Sequence, residues 1–178
     1  MDFISHALIG KILCYFDKKI KTSQQWIVIL FSVLPDFVLI PFYIILGQEN
    51  ERFLWIAQNQ DWIGINASHP ILSGLYNTTH SIFFALLIIL PIIYFFKFPK
   101  MAFLAYLLHI IIDVFTHTGE WAIKIFFPYN YDIDGFTNAW MWPISTMIIP
   151  WTIFSLVILY FSRIQKHDRT GHKNRRSS

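Results

Sequence analysis

Hydrophobic residues are concentrated in four long stretches that are separated by shorter polar segments. The stretches cover roughly residues 26–46, 80–96, 101–115 and 145–161. A helix needs about 17–25 residues to cross a bilayer, so the third stretch is short unless it extends through His117. Polar and apolar residues nowhere alternate long enough to indicate a β-strand. The pattern therefore predicts four membrane-crossing helices.

The N-terminal segment, residues 3–16, is apolar apart from Ser5, His6 and Lys11. As a helix it would reach about 21 Å, which is short for a span. It has neither a basic start nor a small-residue cleavage site, so a removed signal peptide is not indicated. We interpret it as a retained helix that is re-entrant, interfacial or a short fifth span.

Composition supports a membrane protein with one domain. Of the 178 residues, 55% are hydrophobic and 14% are charged, whereas soluble domains carry about 25% charged residues. We predict an all-α, polytopic membrane helical bundle of four to five membrane segments over residues 1–162. A basic cytoplasmic tail, expected to be disordered, follows over residues 163–178. The single cysteine, Cys14, excludes an internal disulfide and a cysteine-based zinc cluster.

Cationic residues divide between the two sides of the predicted spans. Of the 14 Lys and Arg residues, only Arg52 and Lys124 fall in the two long loops, residues 52–79 and 118–143. Because Lys and Arg collect on the cytoplasmic side, we predict both loops outside and the tail inside. The tail is too short and too poor in aromatic residues to indicate nucleic-acid binding. The lipid bilayer is therefore the expected partner.

The strongest chemical signal is His109-Ile-Ile-Ile-Asp113-Val-Phe-Thr-His117. Each step of four residues advances only about 40° around a helix, so the three polar side chains project from one side. A carboxylate at a helix centre in lipid costs about 2.5–3.5 kcal/mol and needs a partner. Imidazole and carboxylate at this spacing suit a metal ion. The alternative is a hydrogen-bonded His–Asp pair that only packs helices.

Three more polar residues lie in or beside apolar stretches. Asp36 follows Pro35, which frees a backbone carbonyl and makes room for a polar pocket. His80 begins the second stretch, and His6 lies in the N-terminal segment. Each has an alternative explanation, as a locally hydrogen-bonded residue or an interfacial histidine. One shared site explains all of them together, and the candidate metal ligands are His6, Asp36, His80, His109, Asp113 and His117.

Other histidines and aromatic residues are interpreted without a metal. His69 is expected to be a solvated loop residue, and His167 and His172 only add charge to the tail. Trp140 and Trp142 are interpreted as part of an interfacial aromatic belt.

The ordered motifs resemble the bacterial membrane-bound, metal-dependent hydrolases, also described as LexA-binding, inner membrane-associated hydrolases. The motifs are His6, Pro35-Asp36, Thr79-His80-Ser81, and His109 with Asp113, Thr116, His117 and Gly119, then Pro128. This family often has a second Asp two residues after Pro-Asp, where this chain has Val38. The family is also similar to zinc-dependent phospholipases C. The resemblance implies a bacterial inner-membrane location, a zinc site and phosphoester substrates.

Together these observations predict a membrane-bound hydrolase that uses metal-activated water on an ester or phosphoester, with a lipid as the natural substrate. The metal is expected to be Zn²⁺, and no catalytic residue is assigned beyond its ligands. The alternative is a small transporter or ion-binding protein that uses the same His and Asp residues as a relay. A regulatory or assembly protein with a structural metal is a third possibility.

Overall fold

The computed structural model of the chain describes residues 2–56 and 58–174. Within these residues the fold is helical, and an isolated antiparallel bridge joins Ile123 to Ile133. The helices are α1 (Phe3–Leu13), α2 (Thr22–Val33), α3 (Leu39–Glu49), α4 (Ile65–Ser68), α5 (Pro70–Thr79), α6 (Ile82–Phe84), α7 (Leu90–Phe95), α8 (Lys100–Thr116) and α9 (Ile144–Asn174). The prediction of an all-α protein is confirmed.

The N-terminal helix α1 is anchored at its first turn by Asp2. The carboxylate accepts hydrogen bonds from the backbone N–H groups of Ile4 and Ser5, each at 3.0 Å, which caps the helix. It also accepts a bond of 2.9 Å from the indole Nε1 of Trp151 on α9. These contacts fix the start of α1, and with it the position of His6 one turn later.

Helices α1, α2 and α8 pack closely because small residues lie where they meet. A Cβ atom on Gly10 would lie 2.4 Å from Ser32 Oγ and 3.1 Å from Ile29 Cα, so α1 rests directly on α2. On α8, Ala102 and Ala105 are buried with at most 1% of their surface exposed. Membrane helices commonly associate through such small residues, because lipid supplies no hydrophobic force between them.

The first long apolar stretch is interrupted at its middle by Pro35. Helix α2 ends at Val33, and a 3₁₀ turn over Leu34–Val38 carries Pro35 and Asp36 before α3 begins. Pro35 and Asp36 are both buried. The tighter turn therefore directs the Asp36 carboxylate into the bundle.

Helix α5 lies inside the first long loop, for which the sequence indicated at most one or two helical turns, and it is ten residues long. It is followed by a second helical segment, Ile82–Phe95, which consists of α6, a π-helical turn over Ala85–Ile89, and α7. The two segments meet at an angle of 56°. His80 lies at this bend, so it can point inward while both segments remain helical.

The loop after α8 closes the C-terminal end of that helix. Gly135 donates its backbone N–H to the His117 carbonyl at 2.8 Å, and Phe136 donates to the Phe115 carbonyl at 2.9 Å. A Cβ on Gly135 would lie 2.6 Å from the Phe115 carbonyl, so only glycine fits here without displacement. The loop therefore supplies donors for carbonyls that α8 itself cannot satisfy.

Exposed apolar residues cover the outside of the bundle. None of the most apolar part of α9 is buried, and on the Ala85–Ile89 turn Leu87 is 70% exposed. Polar residues are instead buried inside. This distribution is the reverse of that in a soluble protein, and it fits a bundle that faces lipid.

Two helical stretches, Thr22–Glu49 and Ile144–Lys166, are long and apolar enough to cross a membrane. A third is added if the bent pair, Pro70–Thr79 with Ile82–Phe95, forms one span. Helices α8 and α1, with 17 and 11 residues, are shorter. The prediction of a helical membrane bundle is therefore confirmed. Two to three candidate spans are found by length and composition, where four to five membrane segments were predicted.

The prediction of a disordered tail from residue 163 is wrong for the part that the structure describes. Helix α9 continues without a break to Asn174. Residues 175–178 of the predicted tail lie outside the described residues.

Candidate metal centre

Six buried polar residues meet in the interior of the bundle. None of them exposes more than 1% of its surface. They are His6 on α1, Asp36 on the 3₁₀ turn, His80 at the bend after α5, His109 and Asp113 on α8, and His117 just after α8. The structure therefore brings together all six residues that the sequence analysis selected.

Asp113 lies at the centre of the group. Its Oδ1 is 3.1 Å from His6 Nε2, and its Oδ2 is 3.2 Å from His109 Nε2 and 3.5 Å from His80 Nε2. His117 is farther away, with its Nδ1 3.7 Å from Oδ1. The helical spacing of α8 explains the near contact with His109, because residues four apart share one face.

Asp36 closes the group from the opposite side. Its Oδ1 lies 3.5 Å from Nε2 of both His80 and His109. This buried oxygen has no hydrogen-bond partner among the described residues. The two imidazoles are thus enclosed between two carboxylates.

Backbone carbonyls orient three of the imidazole rings. His80 Nδ1 lies 2.9 Å from the Tyr76 carbonyl, His109 Nδ1 lies 2.7 Å from the Ser32 carbonyl, and His117 Nδ1 lies 2.9 Å from the Asp113 carbonyl. A carbonyl oxygen can only accept, so each Nδ1 carries the hydrogen. In the neutral ring, Nε2 then presents a lone pair. Hydrogen bonds of this kind commonly orient metal-ligating histidines.

The arrangement of these atoms fits a bound cation. His80 Nε2 and His109 Nε2 are only 3.2 Å apart, although both present lone pairs in their neutral forms. Ligand atoms of His6, Asp36, His109 and Asp113 all lie within 4.8 Å of one another. Two buried carboxylates also need positive charge nearby, because an uncompensated buried charge is costly. This buried His/Asp group could therefore hold a metal ion.

The Thr79-His80-Ser81 motif joins the separate elements around the site. The Thr79 hydroxyl donates to the Pro35 carbonyl at 2.9 Å, next to Asp36, and the Ser81 hydroxyl donates to the Phe127 carbonyl at 2.8 Å. Tyr106 on α8 donates to the Thr79 carbonyl at 2.5 Å. Thr79 and Ser81 thus attach other parts of the chain on the two sides of His80.

His69, the expected solvated loop residue, is instead largely covered, with its side chain only 20% exposed. His69 Nε2 lies 3.2 Å from a carboxylate oxygen of Glu49, in the loop region. The side chains of His167 and His172 lie outside the described side chains.

Three tryptophans form a packed group beside the cluster, which we call the tryptophan triad: Trp62, Trp121 and Trp140. Their ring centroids are 5.4–5.7 Å apart. The triad lines a pocket of about 270 Å³, together with loop residues on both sides of it. Trp140 also packs on His117, with 6.1 Å between ring centroids. The sequence alone does not associate Trp140 with the site, because spacing along a loop carries no periodic signal.

The comparisons with known proteins agree with the membrane character of the fold. The model of the YdjM inner membrane protein family matches residues 1–176, nearly the whole chain. No curated protein and no solved structure matches the chain. The match supports the bacterial inner-membrane family that the motifs suggested, and it says nothing of hydrolysis or LexA. The chain belongs to the YdjM inner membrane protein family.

Proposed function

We propose that this protein is a metal-dependent hydrolase of the inner membrane, and that its substrate is an ester or phosphoester. The single observation that carries the proposal is the contact between His80 Nε2 and His109 Nε2, at 3.2 Å, between two buried carboxylates. Such a contact calls for a cation, and the donor set is one that catalytic metal sites use.

The residues that would hold the ion are His6, Asp36, His80, His109 and Asp113, with His117 at the edge of the group. Imidazole nitrogens with carboxylate oxygens favour Zn²⁺ over the harder cations Mg²⁺ and Ca²⁺. A bound Zn²⁺ supplies an activated water at neutral pH and polarises the bond that is cleaved. His117 contributes a buried Nε2 that has no hydrogen-bond partner among the described residues.

The chain itself prepares the site in two ways. Backbone carbonyls of Ser32 and Tyr76 fix the rings of His109 and His80, so their Nε2 atoms need no reorientation when a ligand arrives. The surrounding helices exclude bulk water, which strengthens every electrostatic contact inside. A lipid substrate is favoured because it can reach a pocket within the bilayer from the side.

The proposed topology has four to five membrane segments, with the C-terminus in the cytoplasm and both long loops outside. In this arrangement α8 and α1 also lie within the membrane, although each is short. Support comes from burial of His6 on α1 and of His109 on α8 in the same cluster, which requires both helices to enter the bundle.

The proposal is tested with Asp113→Asn, which keeps the side-chain shape and removes the charge that a metal needs. Purified wild type should contain metal by mass spectrometry and hydrolyse members of a panel of phospholipids and generic phosphoesters with Zn²⁺ or Mn²⁺ added. Asp113→Asn should lose both properties. The matched control is Asp132→Asn, because Asp132 is a loop carboxylate that is 52% exposed.

Equal metal content in wild type and Asp113→Asn would refute the assignment of Asp113 as a ligand. Metal binding by the wild type without turnover of any substrate would refute the hydrolase. Loss of ion-coupled uptake in Asp113→Asn, in protein that never hydrolyses anything, would instead favour the transport relay.

A further inference from the structure

Three buried polar atoms lie where the metal cluster meets the tryptophan triad, and the two that belong to Tyr76 and Trp140 have no part in the proposed metal site. They are the Tyr76 hydroxyl, the Trp140 indole Nε1 and His117 Nε2. None has a hydrogen-bond partner among the described residues. A buried polar group without a partner costs about 1–3 kcal/mol, so three neighbours of this kind need an explanation.

Tyr76 connects the cluster to the triad. Its ring lies 4.0 Å from the ring of His80 and meets Trp121 edge-on at 5.6 Å. The residue is only 4% exposed. Its hydroxyl is within electrostatic reach of Asp36, Asp113 and the Trp140 indole N–H. The hydroxyl and the indole nitrogen do not meet the geometry of a hydrogen bond with each other or with any other described group.

The three atoms have complementary capacities for hydrogen bonding. The Trp140 N–H can only donate, and the Tyr76 hydroxyl can also donate. His117 Nε2 accepts in the neutral ring, because its Nδ1 donates to the Asp113 carbonyl. Two donors beside a cationic centre suit an oxyanion, whose other oxygens face the metal.

Resting on the proposed function, we infer that Tyr76 and Trp140 donate hydrogen bonds to a phosphoryl oxygen of the substrate. The remainder of the bound substrate then lies against the tryptophan triad. The pocket of about 270 Å³ that the tryptophan triad lines is large enough for a small headgroup. Tyr76 and Trp140 are therefore substrate-binding residues.

The alternative explanation is an ordered water that satisfies the three atoms and has no role in binding. In that case removal of one donor would alter stability and leave anion affinity unchanged. The two explanations therefore differ in a binding measurement, which does not require catalytic turnover.

The test measures binding of inorganic phosphate to detergent-purified protein, with and without added Zn²⁺, by quenching of tryptophan fluorescence. Tyr76→Phe should bind phosphate about tenfold more weakly than the wild type at unchanged metal content, because a hydrogen bond to a charged group is lost. Trp140→Phe should lose phosphate affinity to a similar extent. Its affinity is measured by calorimetry, because the substitution removes part of the tryptophan fluorescence.

The matched controls are Tyr131→Phe and Trp142→Phe. Tyr131 is exposed on the loop, and the Trp142 indole donates to the Thr137 hydroxyl at 2.9 Å, away from the three atoms. Both controls should bind phosphate as the wild type does. A second arm replaces phosphate with dihexanoyl phosphatidic acid, which carries the same group on a short lipid. Tighter binding in this arm identifies a lipid source, and equal binding identifies a soluble one.

Equal phosphate affinity in wild type, Tyr76→Phe and Trp140→Phe would overturn the inference even if the protein is an active hydrolase. Absence of phosphate binding by the wild type under both metal conditions would also overturn it. Weaker binding by both variants, in a protein that binds metal but hydrolyses no substrate, would leave the inference standing and refute only the hydrolase.

Discussion

His80 Nε2 and His109 Nε2 lie 3.2 Å apart. The other nitrogen of each ring, Nδ1, donates its N–H to a backbone carbonyl. Two neutral rings held in this way repel each other through their lone pairs. The surrounding carboxylates of Asp36 and Asp113 add negative charge. A cation between the rings relieves both problems, and it is either a metal ion or a proton on an imidazole.

A chelator distinguishes these two cations. If the cation is a metal, its removal should lower the melting temperature of the wild type by about 5–10 °C, because a ligand bound at a hundred times its Kd stabilises by about 2.7 kcal/mol. Asp36→Asn should melt lower from the start and respond little to the chelator, whereas Asp132→Asn should respond as the wild type does. The measurement is differential scanning fluorimetry in detergent. A wild type that melts at the same temperature with and without chelator would assign the cation as a proton.

The close contact between α1 and α2 predicts a second effect, on stability. In Gly10→Ala the new Cβ would lie 2.4 Å from Ser32 Oγ and 3.1 Å from the Ile29 backbone, so the helices must separate. We expect a loss of about 1–3 kcal/mol in the free energy of unfolding. Metal affinity should fall as well, because α1 carries His6.

The matched control for Gly10 is Gly74→Ala, on α5. A Cβ there meets nothing within 4 Å, and alanine favours the helix, so this variant should unfold with equal or greater free energy. Denaturant unfolding followed by circular dichroism compares the two. Equal destabilisation by both substitutions would show that the packing of α1 on α2 is not the cause.

The sequence predicted the clustering of the six polar residues better than it predicted the spans. His109 and Asp113 were recognisable because a period of four marks one helix face, and His6, Asp36 and His80 because each is a polar residue in an apolar stretch. Neither of these patterns identifies Tyr76 or Trp140. Aromatic side chains are expected in an apolar chain, so only the fold reveals that their polar atoms are buried without partners.

The errors in the fold have local physical causes. Residues 70–79 contain Pro70 and Gly74 among polar residues, which suggested a loop, yet Pro70 is well placed in the first turn of α5. The bend at His80 could not be predicted, because it depends on contacts with Pro35 and Phe127 that are distant in sequence. The number of membrane segments could not be fixed from the sequence for the same reason, since short helices such as α1 are recognised as part of the bundle only by their packing.

The orientation in the membrane is tested by cysteine labelling from outside, in a Cys14→Ser background. Asn130→Cys should react in intact cells, because the loop that contains it is predicted to be outside. Gly171→Cys should react only after the membrane is opened. Both cysteines must react fully in detergent, which is the control for accessibility. Labelling of Gly171→Cys in intact cells would reverse the orientation.

The last prediction concerns Thr79, which positions ligands without touching a metal. Its hydroxyl lies 2.9 Å from the Pro35 carbonyl, next to Asp36, and 3.0 Å from the Tyr76 carbonyl of its own helix. By donating to Pro35 it ties the bend at His80 to the turn that carries Asp36. Thr79→Val keeps the shape of the side chain and removes this donor. Because partners of this kind typically contribute 10–100-fold to metal affinity, we expect a loss of about tenfold or more.

Thr78→Val is the matched control, since Thr78 is the preceding residue and its hydroxyl donates to the Gly74 carbonyl within α5, at 2.7 Å. Both variants exchange a threonine hydroxyl for a methyl group, so their effects on helix propensity should be similar. Zn²⁺ affinity, measured by competition with a chromophoric chelator, should fall in Thr79→Val and stay near the wild-type value in Thr78→Val. A merely structural role for Thr79 would lower the melting temperature of both apo and metal-loaded protein equally and leave the affinity intact. A parallel loss of affinity in both variants would show that a hydroxyl anywhere at this end of α5 has the same effect, and the link from Thr79 to Pro35 would then have no special role.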